Sequence, residues 1–228
     1  MTAPLVSVVM PAYNAERFIG QALDSALAQS YRPVEIIVVD DGSSDRTAEI
    51  AGQRAVRLVR RQHGGEAAAR NAGLAHARGA YWTVFDADDL MPPDRIELQV
   101  DHLERHSEHG MVLGLTEAFV TPGEPRPGHW NPDWDAGPFP ACTGTMLARR
   151  ELIGLVGPYD EARRMSPDFE WITRAKDLGV GAGQLDSVLL RYRIHLGNAS
   201  ADRAAVSSAM LGVLRESLGR RRAGAAGS

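Results

Sequence analysis

Cysteine is almost absent from this chain: among its 228 residues, only Cys142 is a cysteine. A lone cysteine cannot close an internal disulfide and has no neighbouring cysteine with which to bind zinc. We therefore expect a reducing compartment and a small, buried role for Cys142. A chain of this length can bury a core without covalent staples, which predicts a single domain over residues 1–228.

Basic charge and long apolar runs are also scarce. The formal net charge of −4 lacks the electrostatic pattern of a nucleic-acid-binding domain. No apolar run approaches the roughly 20 residues that cross a bilayer. Residues 1–5 contain Pro4 and neither the basic nor the apolar segment of a signal peptide. Together these absences predict a cytoplasmic protein without nucleic acid as a partner.

Strand and helix patterns alternate through the first half of the chain. Apolar, largely β-branched runs at 6–10, 34–39 and 81–85 predict strands that are buried on both faces. Helical periods lie between them. Asn14 is expected to cap the first helix, and an alanine-rich helix that starts at 66 is expected to end at Gly79. This order predicts an α/β fold with helices on both faces of a mainly parallel sheet.

One strand ends in three carboxylates. Residues 81–89 read YWTVFDADD, an apolar run followed by Asp86, Asp88 and Asp89. In an extended chain Asp86 and Asp88 project to one side, where a divalent ion would relieve their repulsion. Asp89 points away and is expected to cap a helix near Pro92, with metal binding as its secondary role. The alternative is an ordinary acidic turn after a strand.

A second acidic strand end follows residues 34–39. Asp40 and Asp41 precede Gly42 there, and Tyr13 follows the first strand. Ligands of open parallel sheets bind beyond the carboxyl ends of the strands. We therefore expect both acidic strand ends and Tyr13 to face one crevice.

Six short motifs in this order resemble the family-2 glycosyltransferases. They are VVMPAYN at 8–14, VVDDGSSD at 38–45, AARNAG at 68–73, FDADD at 85–89, SPD at 166–168 and YRIH at 192–195. The resemblance covers most of the chain and implies the GT-A fold, a three-layer α/β/α arrangement with a mainly parallel central sheet. It implies a Rossmann-like nucleotide-sugar-binding half at about 1–110 and an acceptor half at about 111–200, before a C-terminal helix and basic tail at 201–228.

The resemblance assigns the nucleoside to the first acidic cluster. Asp40 is expected to accept from the base, and Pro11 and Tyr13 are expected to line the same pocket. An ionised carboxylate is only an acceptor, which suits the imide N–H of uracil or the edge of guanine. Asp41 is expected nearby, and for both Asp40 and Asp41 the alternative role is to hold the Gly42 turn. For Arg70, contact with the nucleotide and a solvated helical position are both kept open.

The resemblance also implies a metal site for Mn²⁺ or Mg²⁺. Asp86 and Asp88 would bind the ion that bridges the donor diphosphate, and Ala87 would contact the donor. His195 would ligate the metal or donate to phosphate, and Arg193 would pair with phosphate oxygens. Such an ion offsets the charge that develops on the leaving nucleoside diphosphate.

An inverting transferase of this kind needs a base, and the resemblance points to Asp168 in SPDFEW at 166–171. Pro167 stands where the family commonly has a glutamate, so the tuning of Asp168 departs from the family pattern. The alternative role for Asp168 is a plain helix cap.

The acceptor side is the least defined. Trp130 and Trp134 lie in a proline- and glycine-rich stretch at 121–140, which suggests a lid or a platform for a sugar, with packing on the core as the alternative. A helix at 202–218, followed by basic residues 220–222, would suit weak contact with the inner face of the membrane and a lipid-linked acceptor, or it would simply pack on the domain. A saccharide, peptide or small-molecule acceptor and a homodimer are also open.

The sequence thus predicts a metal-dependent inverting transferase that moves a sugar from a nucleoside-diphosphate sugar, with uridine favoured, to an unidentified acceptor. Two alternatives stay open. A sugar nucleotidyltransferase would need a glycine-rich basic loop after the first strand, where this chain has MPAYN at 10–14. A non-catalytic nucleotide-sugar-binding protein would not need Asp86, Asp88 and Asp168 together.

Overall fold

The computed structural model describes residues 2–140 and 144–226, so the expectation for Cys142 lies outside the described residues. Within the described part of the chain, the strands are β1 (Val6–Ala12), β2 (Val34–Asp40), β3 (Arg57–Arg60), β4 (Tyr81–Val84), β5 (His109–Phe119), β6 (Phe139–Pro140), β7 (Leu147–Arg149) and β8 (Gly181–Arg193). The α-helices there are α1 (Ile19–Leu27), α2 (Thr47–Gly52), α3 (Glu66–Leu74), α4 (Arg95–Arg105), α5 (Glu151–Val156), α6 (Pro167–Asp177) and α7 (Arg203–Ala226).

The strands form one mixed sheet in the order β3-β2-β1-β4-β7-β5-β6, with β8 paired to β5. The first four strands are parallel, as their buried β-branched sequences predict. β7 runs antiparallel to both β4 and β5, so β4 and β5 point the same way. The carboxyl ends of β1, β2 and β4 therefore lie along one edge of the sheet, and the start of β5 lies at the opposite edge.

Apolar side chains pack on both faces of the sheet. One core includes Leu23 of α1 and Ile96 of α4 against β1 and β2. The other places α3, α5 and α6 against the opposite face, where Trp82 and Trp171 meet edge to face with ring centroids 5.1 Å apart. The predicted layering of helix, sheet and helix is confirmed.

Two predicted helix bounds are wrong for local reasons. α1 begins at Ile19, and Asn14 does not cap it. Asn14 instead adopts a φ of 48° and accepts from the backbone N–H of Ser44, which ties the end of β1 to the loop after β2. α3 ends at Leu74 and not at Gly79. Gly79 lies against β1, where an added Cβ would come within 2.7 Å of Leu5 O.

The C-terminal helix α7 extends beyond the predicted 202–218, and its apolar residues are only partly buried. Val213 is fully buried, whereas Leu214 is exposed. Arg220 and Arg221 both pair with Asp177 of α6, which offsets part of the predicted basic charge. Among the described residues, none of the helices is long and apolar enough to pass through a bilayer.

Candidate active site

A crevice of about 990 Å³ opens at the edge of the sheet where β1, β2 and β4 end. Most of the predicted site residues line it: Pro11, Tyr13, Asp41, Arg70, Asp86, Ala87, Asp88, Asp168 and His195. These residues come from distant parts of the chain, and the parallel strands bring them together. Asp40 and Arg193 are not among the lining residues.

One end of the crevice is strongly negative. We call it the acidic end, and it consists of Glu66, Asp86, Asp88 and Asp168 with the single arginine Arg70. The carboxylates come from the start of α3, the turn after β4 and the first turn of α6. Asp168 is the second residue of α6, beyond Ser166, so it does not act as the plain helix cap.

Arg70 is the centre of the acidic end. Its side chain is only 1% exposed, which excludes the solvated helical position. It forms an ion pair with Asp168 (Nη1 to Oδ2, 2.6 Å) and a hydrogen bond with Asp86 (Nη2 to Oδ1, 3.2 Å). It also pairs with Glu66 one turn earlier in α3. Tyr159 packs its ring under the guanidinium, with the ring centroid 5.5 Å from Cζ. Arg70 thus joins the predicted base to the predicted metal ligand.

The electrostatics of the acidic end favour a bound cation. Loss of hydration raises the pKa of Asp86 to about 7; Arg70 offsets part of this effect, and the negative charges of Glu66, Asp168 and Asp88 add to it. Although Arg70 lowers it, burial and the charges of Asp168 and Asp88 raise the pKa of Glu66. One arginine does not compensate these carboxylates, and oxygen atoms are the donors that Mg²⁺ and Mn²⁺ prefer. The donor set therefore fits such an ion.

Asp88 faces His195 across the crevice, with Oδ2 and Nε2 3.0 Å apart. The backbone N–H of Gly197 donates to Nδ1 of His195, so the neutral ring carries its proton on Nε2. The ring is therefore arranged to donate from Nε2. Of the two roles predicted for His195, this geometry favours the hydrogen-bond donor over the metal ligand, which would require Gly197 to release Nδ1.

Asp89 and Arg193 lie buried behind the acidic end and contact each other. Asp89 does not cap a helix; it accepts from the backbone N–H of Arg193 at 2.8 Å, and burial with the charges of Asp88 and Asp86 raises its pKa well above the ordinary value. Arg193 is 1% exposed, and its guanidinium donates to Asp88 O, Thr121 Oγ1 and Gln21 Oε1. Because these donors are engaged, Arg193 is placed to hold the Asp88 turn and not to bind phosphate.

The other end of the crevice, which we call the Tyr13 end, consists of Pro11, Tyr13, Asp41 and His63. Tyr13 is half-exposed and stacks on His63, with ring centroids 4.1 Å apart. His63 was not expected to contribute, since nothing in the sequence indicates that the loop after β3 returns to β1.

The structure places Asp41, and not Asp40, in the wall of the crevice. Asp40 is 1% exposed and accepts from the backbone N–H of Ser43, so it holds the turn after β2. Asp41 lines the crevice, although it is only 2% exposed, and it accepts from the backbone N–H groups of Gly64 and Gly65 at 3.1 and 2.8 Å. Arg61 and His63 also pair with Asp41, at 2.6 and 2.9 Å. Asp40 is the last residue of β2, so the strand runs one residue beyond the predicted 34–39, and Asp41 is the first residue after it.

The tryptophans of the 121–140 stretch pack on one another. Trp130 and Trp134 meet edge to face at 5.4 Å, and Trp134 meets Tyr192 in the same way at 6.3 Å. Tyr192 lines the crevice. The stretch therefore packs on the protein and also borders the crevice through Tyr192. Its position agrees in part with both alternatives, a lid or platform and packing on the core.

When the chain is compared with known protein families, the family described as Glycosyl transferase family 2 matches residues 7–168. An uncharacterized glycosyltransferase of Rickettsia typhi is 30% identical over 209 residues, which are 85% of this chain and 65% of that protein. One of Rickettsia felis is 39% identical over 84% of this chain and 34% of its own length. The chain thus covers less than two thirds of these relatives.

Solved structures share the fold at low identity. The 1-349 fragment of S. aureus TarS in complex with UDP-GlcNAc has a TM-score of 0.71 and 19% identity over 94% of this chain and 66% of that one. The mannosyltransferase PcManGT of Pyrobaculum calidifontis, in complex with GDP-Man and Mn²⁺, has a TM-score of 0.69 and 22% identity over 89% of this chain and 60% of that one. The predicted GT-A architecture is confirmed.

Proposed function

Because the chain belongs to glycosyl transferase family 2, we propose that it transfers a sugar from a nucleoside-diphosphate sugar to a hydroxyl-bearing acceptor with inversion at the anomeric carbon. The observation that carries this proposal is the buried contact of Arg70 with both Asp86 and Asp168. It ties the carboxylate suited to a metal to the carboxylate suited to a proton, within one crevice. A passive nucleotide-binding pocket has no need of such a connection.

The nucleoside lies at the Tyr13 end in this proposal. Tyr13 presents a half-exposed ring for stacking on the base, and Asp41 presents a carboxylate whose position is held by two backbone N–H groups. A carboxylate accepts from the imide N–H of uracil, so the donor is a uridine-diphosphate sugar. The base edge of guanine offers N–H groups as well, and binding of GDP in place of UDP is the outcome that would correct the choice of base.

The diphosphate lies at the acidic end. Asp86 and Asp88 would hold a Mn²⁺ or Mg²⁺ ion, because both carboxylates line the crevice and these ions prefer oxygen donors. When bound, the ion supplies charge compensation for the departing diphosphate. His195 donates from Nε2 to Asp88 or to a phosphate oxygen.

Asp168 takes the proton in a single displacement. The acceptor oxygen forms a bond to the anomeric carbon as the bond from that carbon to the diphosphate oxygen breaks. The acceptor proton passes to the Asp168 carboxylate, and the nucleoside diphosphate leaves with the electron pair. Arg70 positions Asp168 on the crevice wall through their 2.6 Å ion pair. Pro167 is the first residue of α6, a position that proline favours. It leaves Asp168 without an acidic residue directly before it.

The proposal is tested by calorimetric titration of UDP, GDP, ADP and CDP in the presence of Mn²⁺, followed by hydrolysis assays with the sugar of the nucleotide that binds. Water then takes the place of the acceptor, and release of the diphosphate reports turnover. We expect one nucleotide to bind at least tenfold tighter than the others, with slow hydrolysis that Asp168→Asn removes. Binding of none of the four nucleotides would overturn the donor assignment.

A further inference from the structure

We propose that a second metal site lies at the edge of the sheet opposite the crevice, formed by His106, Glu108 and His109, and that it binds an ion of the zinc class. These residues connect the end of α4 to the start of β5. None of them lines the crevice, and each belongs to the strand edge where β5 begins and not where β4 ends. We call His102, His106, Glu108 and His109 the histidine cluster.

The ligand atoms are already close to one another. One atom each from His106, Glu108 and His109 lies within 4.8 Å of the other two. Nδ1 of His106 is 3.1 Å from Oε1 of Glu108, and Nε2 of His109 is 4.0 Å from the same oxygen. Zinc binds nitrogen and oxygen at about 2.0–2.1 Å, so its tetrahedral ligands lie about 3.4 Å apart. The two distances to Glu108 each differ from that spacing by less than about 1 Å, and Glu108 is exposed and can adjust.

His102 orients the most buried of the ligands. Its Nε2 lies 3.0 Å from Nδ1 of His109, and the two rings are nearly parallel, with an interplanar angle of 3°. A proton on Nδ1 of His109 can be donated to His102, which leaves Nε2 of His109 bare and directed toward Glu108. Metal-binding histidines are commonly held in this way by a partner at the second ring nitrogen. His102 is a positioning residue in this site.

The fold makes room for His102 at one glycine. A Cβ added to Gly183 of β8 would come within 2.0 Å of Nε2 of His102. Any side chain there would displace the ring from His109. The glycine therefore couples β8 to the geometry of the histidine cluster, and it provides a variant that disturbs the site without touching a ligand.

The backbone around the ligands is fixed before any ion binds. His109 donates its N–H to His106 O at 3.1 Å, and His106 donates to His102 O at 3.0 Å. The guanidinium of Arg149 donates to His109 O and Leu103 O at 2.9 and 2.6 Å, so its charge is directed at carbonyl groups. Since the turn is already ordered, little conformational entropy is lost when an ion binds.

The donor set selects the ion. Two imidazoles and one carboxylate suit Zn²⁺, Ni²⁺, Co²⁺ or Cu²⁺, whereas Mg²⁺ and Mn²⁺ prefer the oxygen donors of the acidic end. An ion here would connect α4 to β5. It would stabilise the folded chain more strongly the more tightly it binds. The two sites are therefore distinguishable by metal as well as by position.

The test is calorimetric titration of Zn²⁺ into the Asp88→Asn protein with excess Mg²⁺, which removes the crevice as a competing site. We expect one Zn²⁺ per chain. Adding His109→Gln or His106→Gln should weaken binding at least tenfold, and His102→Gln and Gly183→Ala should weaken it by about 10–100-fold while one site per chain is retained. His76→Gln, a histidine outside the cluster, is the control and should bind Zn²⁺ as the parent does.

A second readout guards against variants that fold poorly. Zn²⁺ should raise the Tm of the Asp88→Asn protein and should leave unchanged the Tm of the same protein carrying His109→Gln, whose metal-free Tm is measured first. Zn²⁺ binding that is equally tight with and without His109→Gln, or no Zn²⁺ bound by the Asp88→Asn protein, would overturn the proposed site.

Discussion

The two ends of the crevice hold their carboxylates in opposite ways. At the Tyr13 end, Asp41 has donors of its own from Arg61, His63 and two backbone N–H groups. At the acidic end, three carboxylates share Arg70 and a fourth faces His195. Nearby donors balance the charge of Asp41 at the first end, whereas the second end keeps an excess of negative charge. Charge compensation, more than the number of acidic residues, distinguishes a nucleoside pocket from a metal site.

The largest effect should come from removing the proposed base at the acidic end. Asp168→Asn keeps the size of the side chain and removes its capacity to take a proton, so we expect turnover to fall by about 10²–10⁴-fold. Nucleotide binding at the Tyr13 end should be unchanged. Steady-state release of the nucleoside diphosphate measures turnover, and calorimetry measures nucleotide binding. Asp160→Asn, an exposed aspartate nearby, is the control, and parental turnover by Asp168→Asn would contradict the assignment.

Removing the shared cation should break the acidic end itself. Arg70→Met leaves the largely buried Asp168 and the half-exposed Glu66 and Asp86 without their cationic partner, so we expect the free energy of unfolding to fall by about 1–3 kcal/mol in urea titrations. Arg70→Lys keeps the charge but not the two-sided geometry and should lose less. Mn²⁺ should restore part of the stability of Arg70→Met because it replaces the missing positive charge. Unfolding of Arg70→Met at the parental urea concentration would show that the acidic end does not depend on Arg70.

A smaller effect on nucleotide affinity is expected at the Tyr13 end. Asp41→Asn weakens an acceptor aimed at the base, and a hydrogen bond to a charged group contributes about 1.5–3 kcal/mol, so nucleotide affinity should fall about tenfold or more. Mn²⁺ binding should not change. Asp40→Asn is the matched comparison: it should lower the urea midpoint and keep nucleotide affinity. The reverse pattern would restore the assignment of the base to Asp40.

The smallest expected effect is on stability and involves Asp177 of α6, which lies outside both ends of the crevice. Although burial opposes it, hydrogen bonds from Ser217, Arg221 and Arg220 lower the pKa of Asp177. Its contribution is therefore present above its unfolded pKa and is lost as the pH falls through its lower folded pKa. Asp177→Ala should cost about 1 kcal/mol of stability near neutral pH, since the arginines are partly exposed. Urea titrations at pH 7 and pH 3 should show this difference shrinking at the lower pH; an equal difference at both would contradict the pairing.

Much of the fold could be predicted because its signals are local. β-branched runs at β1, β2 and β4 indicate buried parallel strands, and the acidic residues directly after β2 and β4 had to lie at one edge of the sheet. The family motifs then placed Asp86, Asp88 and Asp168 in one crevice, as the structure has them. Each strand and each motif is identified by a short stretch of neighbouring residues.

The features that the sequence left open or misassigned involve partners that are distant in sequence. Arg70 lies in an alanine-rich helix that could as well be solvated, and only the arrival of Asp86 and Asp168 buries it. Arg193 could be assigned to phosphate because its contacts with Gln21 and Thr121 arise only in the folded chain. Which of Asp40 and Asp41 faces the crevice depends on where β2 stops, and a shift of one residue reverses the direction of a side chain.

The most direct measurement is the affinity of UDP for the protein with and without Mn²⁺, compared between the parent and Asp88→Asn. We expect Mn²⁺ to tighten UDP binding by at least tenfold in the parent and to leave Asp88→Asn unaffected, because the excess charge at the acidic end needs the ion before it can accept a diphosphate. UDP binding of equal strength with and without Mn²⁺ in the parent would contradict a metal site at Asp86 and Asp88.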